Sequence, residues 1–355
     1  MDVRKYSNLA GEIPIAYDLA SHHALGGGSY AFQADYPSYL KTLLPSGSKR
    51  TEVNIIIQPN SSPHVGTLCS LGLAFIVARR LQDLDMETIV RCDLWDQAKG
   101  EEHEIEGIKY QRSLRDTGRL QQYLPEYIHI LELLAKEYAI KYYVRFEKEF
   151  LQQPGISGVL QEIIKNRVEI GNYLMPSTGV LAFRAPCPTC GLVDKYGVNN
   201  IYSEQCTSIS FKCPHHGRFV HSTETDAHRI QFNCQLFNLR SAAGFWQEQL
   251  LWRFLSKPAI IVYTPLISDW SGYKVSKSLY LQKTAYDYLR QAGQEYLLSY
   301  HVLRQEGRDL NLLWQEIERW VDEPYRLFRG YSLHYLHLLF EGYKLHLGII
   351  HERKH

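Results

Sequence analysis

The sequence predicts an α/β protein built on a parallel sheet, and three observations predict it. Two β-branched runs, VNIII within Thr51–Leu73 and Pro258-Ala-Ile-Ile-Val-Tyr263, read as strands buried on both faces. The first run stops at Gln58-Pro59-Asn60, and an apolar segment of helical spacing follows, with Leu68, Leu71, Phe75, Ala78 and Leu81. After that helix, Glu87-Thr-Ile-Val-Arg-Cys92 reads as the next parallel strand. Strand, tight turn and helix N-terminus in that order set Asn60, His64, Gly66 and Thr67 at the carboxyl end of the sheet. Open α/β sheets bind ligands there, with helix N–H groups turned toward anionic groups.

Taken in order, residues 1–50 form an extension of irregular composition. In it LGGGSYAF reads as a loop and Pro37–Leu44 as a short helix. The strand at Glu87–Cys92 ends in Asp93-Leu-Trp-Asp96-Gln-Ala-Lys99, so two carboxylates are expected near His64, suited to a cationic ligand group. The competing reading makes Asp93 a helix cap and Asp96 a solvated surface group. EEHEIEG reads as a solvated face. Tyr110–Tyr138 is expected to be largely helical and broken or kinked by Pro125, Ile140–Phe146 a strand, and Ser157–Leu174 a helix. Beyond residue 280, three helices are expected, Tyr286–Leu303, Leu310–Trp320 and Pro324–Leu347.

The sharpest local motif is metallic. Cys187-Pro-Thr-Cys190-Gly and Cys213-Pro-His-His216-Gly are two knuckles separated by 22 residues. Thiolate and imidazole are the ligands zinc prefers, and Cys187, Cys190, Cys213 and His216 supply the four of a closed, structural site, with His215 the competitor of His216. Glycine after each knuckle lets the turn bend back over the metal.

Composition bounds the rest. Across 355 residues, 45% are hydrophobic and 22% charged, the balance of a globular protein with a large core. Lys+Arg 39 against Asp+Glu 38 gives no global attraction to nucleic acid, so any RNA contact requires a local patch. The 25 tyrosines suit packing and base stacking alike. No apolar run of membrane-spanning length and no signal-peptide pattern are read, so no membrane partner is expected. Seven cysteines, partly in CxxC spacing, suit a reducing compartment, and a cytoplasmic location is the expectation. No internal repeat is found.

Late in the chain stands Lys274-Val-Ser276-Lys277-Ser278. Two lysines between hydroxyls suit a polyphosphate or an RNA backbone. Together, Pro63-His64-Val65-Gly66-Thr67 and this KVSKS loop resemble the HIGH and KMSKS signatures of class I aminoacyl-tRNA synthetases. The order of features, with the Asp93/Asp96/Lys99 segment and the zinc knuckles between them, is similar to the catalytic core of class I lysyl-tRNA synthetases over about residues 50–300. The resemblance implies a Rossmann-like catalytic fold in two halves, 51–110 and 223–290. Around them it implies a helical connective insertion at 111–180, a zinc insertion at 181–222 and C-terminal helices at 291–355. It also implies a basic amino acid, arginine or lysine, held near Asp93, Asp96 and Lys99.

The chain departs from that family at Thr67 and Val275 and lacks a Gly-Lys-Asp-His pattern in HRIQFNCQLFNLR. Only about seventy-five residues follow Ser278 in this sequence, so an anticodon-binding segment of the usual size is not expected. In these respects it resembles cyclodipeptide synthases, which keep the class I fold and take aminoacyl groups from charged tRNA without ATP. The fungal arginine-containing members agree with the acidic pair. That resemblance makes Ser61 or Ser62 the acyl acceptor, with Lys274 and Lys277 on the tRNA acceptor end. Each serine also suits a plain turn or helix cap. Two further readings stand beside this one. One is an ATP-dependent ligase activating arginine or lysine, in which His64, Gly66, Lys274 and Lys277 hold the phosphates, while Thr67, Ser276 and Ser278 are expected to line the substrate site of the preferred reading. The other is a non-catalytic tRNA-binding relic.

Overall fold

A computed structural model describes residues 36–96, 99–174, 179–233, 260, 262–275, 284–327 and 329–342. The helix at Tyr36–Leu43 (α1) leads into the strand Arg50–Ile57 (β1), the helix Val65–Gln82 (α2) and the strand Glu87–Leu94 (β2). A hairpin of Lys99–Ile105 (β3) and Ile108–Ser113 (β4) follows, then Leu114–Thr117 (α3), Leu120–Tyr138 (α4) and the strand Tyr142–Phe146 (β5). β1, β2 and β5 form one parallel sheet in that order, with Ile56 opposite Asp93 and Asp93 opposite Arg145. The fold is therefore mixed α/β around parallel strands, as expected.

Only one face of this sheet is dry. Thr88, Val90, Cys92 and Leu94 are buried against the helices, whereas Glu52, Asn54 and Ile56 of β1 lie exposed on the opposite face. The expected burial on both faces of VNIII is thus corrected, and TEVNIII already alternates polar and apolar residues through Glu52 and Asn54. Arg91, Asp93, Tyr143 and Arg145 share the outer face by register. There Arg91 pairs with Glu52, and Tyr143 donates to Glu52 as well.

α2 is the hub. Twelve of its residues are buried, around its whole circumference. By length and composition alone it is the one candidate membrane span among the described residues, but 67% of that window is buried within the protein, as in a core helix. Gly72 lets it meet the late helices closely. A Cβ there would lie 2.9 Å from both Trp314 and Ile317.

EEHEIEG is largely solvated, as expected, and it supplies most of β3 and the hairpin turn at Glu106-Gly107, both residues at positive φ. Two expectations from Tyr110 to Tyr138 change. Residues 110–113 belong to β4, and α4 runs through Pro125 unbroken. Pro125 sits early in that helix, where its missing N–H costs one intrahelical bond.

Further on come Glu147–Leu151 (α5), Ile156–Lys165 (α6), Arg167–Leu174 (α7) and the strands Ala182–Arg184 (β6) and Val193–Asp194 (β7). Then follow Ile201–Tyr202 (β8), Ser208–Cys213 (β9), Gly217–Ser222 (β10) and Gln231–Asn233 (β11). The expected helix 157–174 is two helices divided at Asn166. Leu160, Ile163, Ile164, Ile170, Phe183, Ile209 and Phe211 form a second core, separate from the main one around α2. Segment 111–180 consequently contributes to both cores.

The expected strand 258–263 lies partly outside the described residues, and those described are not in a strand. A strand occurs instead at Leu266–Ser268 (β12), parallel to Gly330–Ser332 (β13). The C-terminal part is more broken than the expected three helices. It comprises Asp287–Gln291 (α8), Tyr300–Gln305 (α9), Leu310–Asp322 (α10), Pro324–Leu327 (α11) and Leu333–Phe340 (α12). Gly293, at φ 67, lies between α8 and α9, while Ser299 and Ser332 cap α9 and α12. Residues 343–347 and LGGGSYAF lie outside the described residues.

Candidate functional site

The turn after β1 carries the site. Ser61 is buried, and its Oγ donates to the Ser62 carbonyl at 3.2 Å. Tyr127 of α4 donates to the carbonyls of Ser61, at 3.3 Å, and Gln58, at 3.4 Å, which fixes the turn against that helix. Burial, followed by the nearby Glu126 charge, raises the Tyr127 pKa, so its phenol remains a donor. Ser62 is oriented differently. Its Oγ donates to the carboxylate Oε2 of Glu126 and accepts from the His301 backbone N–H at 3.1 Å. Of the two candidate serines, Ser62 is the one placed against a proton acceptor.

Neither Glu126 nor His301 was singled out by the sequence. They lie 64 and 239 residues from Ser62, and only packing of α4 and α9 on the turn unites them. Asn60 adds an acceptor, since its buried Oδ1 has no hydrogen-bond partner among the described residues. A buried carbonyl oxygen without a donor is unfavourable, and a ligand N–H or O–H would relieve it.

His64 caps α2. Its Nδ1 accepts from the Thr67 N–H at 3.3 Å, so the neutral ring carries its proton on Nε2. Gly66 makes room for this ring, because a Cβ at Gly66 would stand 2.9 Å from His64 Cε1 and displace it. That is a reason for glycine independent of any nucleotide. One turn on, Ser70 meets Thr264 at 3.1 Å, bringing the start of the β12 segment to α2.

The acidic pair is already engaged. Asp93 accepts two hydrogen bonds from Arg145, at 2.7 and 2.8 Å, and Arg91 stands 3.4 Å from its Oδ2. Asp96 accepts two from Arg115, at 2.7 and 2.5 Å. Both aspartates are buried, so neither the solvated Asp96 nor the open carboxylate pair describes them. Two-point arginine contacts use both oxygens of each carboxylate. They give a second guanidinium no ready edge. Lys99 stands apart from them in β3, 3.4 Å from Glu102.

Of KVSKS, Lys274 and Val275 are described, and Ser276, Lys277 and Ser278 lie outside the described residues. Val275 is buried and donates to the Ile267 carbonyl at 2.9 Å, while Lys274 bridges to Ser268. Lys274 is exposed as a residue, yet protein around its ammonium lowers its pKa by desolvation.

The metal knuckles come together as expected. The Sγ atoms of Cys187, Cys190 and Cys213 and a ring nitrogen of His216 all lie within 4.8 Å of one another. Cys190 Sγ is 3.6 Å from Cys213 Sγ, and His216 Nδ1 is 3.6 Å from Cys187 Sγ and 3.5 Å from Cys213 Sγ. A tetrahedral ion with metal–sulfur bonds near 2.3 Å and metal–nitrogen bonds near 2.0 Å requires edges of about 3.5–3.8 Å. The donor set fits. It is built by the turn between β9 and β10 facing the turn before β7. Gly191 and Gly217, at φ 72 and 73, bend the two knuckles. Burial opposes the Cys187 thiolate, but hydrogen bonds from the backbone of Cys190 and Thr189 lower its pKa below the usual thiol value. A four-residue cluster able to hold a metal ion is therefore present.

No family model matches the chain, and no curated protein matches it. The site must be read from its own geometry.

Proposed function

We propose that the protein is an aminoacyltransferase that draws on aminoacyl-tRNA, with Ser62 as the acyl acceptor, in the manner of a cyclodipeptide synthase on a Rossmann-like, class I synthetase type of fold. The observation that carries this reading is the Ser62 hydroxyl hydrogen-bonded to the Glu126 carboxylate at the carboxyl end of a parallel strand. A serine hydroxyl is a weak nucleophile until a base takes its proton. In the proposed step, Ser62 Oγ attacks the ester carbon of the aminoacyl group and its proton passes to Glu126. The bond from that carbon to the ribose oxygen breaks, and the ribose oxygen takes the proton from Glu126. The acyl ester on Ser62 is then consumed by the amine of a second aminoacyl group. Attack of the resulting dipeptide's own amine on its remaining ester closes the ring and releases the second tRNA.

Neither ATP nor a metal takes part in this chemistry. Zinc is the ion proposed for Cys187, Cys190, Cys213 and His216, in a structural role, because four protein ligands complete its coordination. Arginine and lysine were suggested by Asp93 and Asp96. With Arg145 and Arg115 on those carboxylates, the proposal names no amino acid.

One observation favours the ligase reading as second. His64, whose Nδ1 accepts from the Thr67 N–H, stands at the N-terminus of α2, an arrangement suited to a nucleotide phosphate. One experiment separates the two: incubation of the protein with a full set of aminoacyl-tRNAs, arginyl- and lysyl-tRNA included, without ATP, followed by mass spectrometry of small molecules. The proposal predicts a cyclic dipeptide, abolished in Ser62→Ala and reduced at least about 100-fold in Glu126→Gln. ATP–pyrophosphate exchange with an amino acid, and no dipeptide, would return the protein to the ligases.

A further inference from the structure

The residues just before KVSKS form a distinct local feature. Asp269 N–H donates to the Tyr273 carbonyl at 2.8 Å, and Val275 N–H to the Ile267 carbonyl at 2.9 Å, so residues 267–275 are a tight hairpin. The Asp269 carboxylate is turned inward and accepts from the backbone N–H groups of Ser271, at 2.9 Å, and Tyr273, at 3.1 Å. Aromatic rings occupy the tip. Trp270 is 69% exposed and Tyr273 is 53% exposed, an expensive way to hold large apolar side chains unless something covers them. The Trp270 ring lies 5.6 Å from the His334 ring, and Tyr288, half exposed, bonds back to the Trp270 backbone. Lys274 adjoins them at the base of the hairpin, exposed as a residue but with its ammonium partly shielded by protein.

The base of the hairpin lies near the start of α2. Ile267 Cγ1 is 3.8 Å from where a Cβ at Gly66 would stand, four residues beyond Ser62 in the chain. Rigid exposed aromatics beside a cation are the means by which proteins hold unpaired nucleotides, whose bases stack while the phosphates meet the charge. We infer that Trp270 and Tyr273 are a stacking platform for the unpaired 3′-terminal nucleotides of an RNA, with Lys274 on their phosphate backbone. The inference rests on the aminoacyl-tRNA reading for its orientation. The terminal ribose ester goes to Ser62, and the preceding bases stack on the hairpin.

The test uses uncharged RNA, so it does not depend on acyl transfer. Two minihelices of identical stem, one with four unpaired 3′ nucleotides and one blunt, are titrated into the full chain and followed by tryptophan fluorescence and filter binding. The platform predicts that Trp270→Ala weakens the overhanging RNA at least about fivefold, that Trp270→Phe restores most of the binding, and that the blunt RNA is unaffected by either. Tyr273→Ala is expected to act in the same direction. Equal loss for both RNAs, no change with Trp270→Ala, or no binding of the overhanging RNA would overturn the platform. If overhang binding depends on Trp270 and no cyclic dipeptide is formed, the platform stands and acyl transfer at Ser62 does not.

Discussion

At the scale of single residues, the decisive contrast lies between neighbours. Ser61 and Ser62 are indistinguishable in PNSSP, yet one donates to a backbone carbonyl and the other to Glu126. No local pattern separates them, because the partner sits on a helix brought up by tertiary packing. The same limit applies to Asp93 and Asp96. Their position at the sheet end was legible, and their occupation by Arg145 and Arg115 was not. Arg145 is register partner to Asp93 on β5, and both side chains are largely shielded from water. Removing one member of such a pair strands the other, whereas removing both leaves nothing uncompensated. Arg145→Ala should therefore destabilise the fold by about 2–4 kcal/mol in urea denaturation, with Arg91 offsetting part of the loss. The double variant with Asp93→Ala should recover part of that. A double variant as unstable as the sum of the singles would show that the two side chains act separately.

Among elements, strands and helices with one apolar face were easiest to read. α1, β2, β5 and α10 occur close to where their periodicity put them. The β3–β4 hairpin escaped because much of β3 is exposed, so no burial pattern betrays a strand there. Its Glu-Gly turn is also a weaker signal than Asn-Gly. The metal knuckles were legible for the opposite reason: ligand chemistry fixes residue type and spacing regardless of burial. They join β7, β9 and β10, and the second core beside them holds residues of β6, β9, α6 and α7. Such a small core leans on its staple. Chelation, or Cys190→Ala, is expected to raise amide exchange across 181–222 while α2 keeps its protection, with one metal equivalent lost per chain. Unchanged exchange after verified metal loss would make the cluster dispensable for the fold.

For the whole molecule, the main core gathers β1, β2 and α2 with the late helices, and Gly72 makes room on α2 for Trp314 and Ile317 of α10. This closure sets α9, with the His301 N–H, over the turn that bears Ser62. One of the late helices, α9, thereby contributes the His301 N–H to the candidate site. A net charge of +1 offers no broad attraction to RNA, so the proposed RNA recognition rests on local features such as the hairpin at 267–275. The central claim is that Ser62 carries an acyl group between two substrates, and intact-protein mass spectrometry after brief mixing with aminoacyl-tRNA tests it most directly. The account predicts a mass increase of one aminoacyl residue, mapped to the peptide containing Ser62 and absent from Ser62→Ala. Formation of a cyclic dipeptide with no adduct, or with the adduct on another residue, would contradict it.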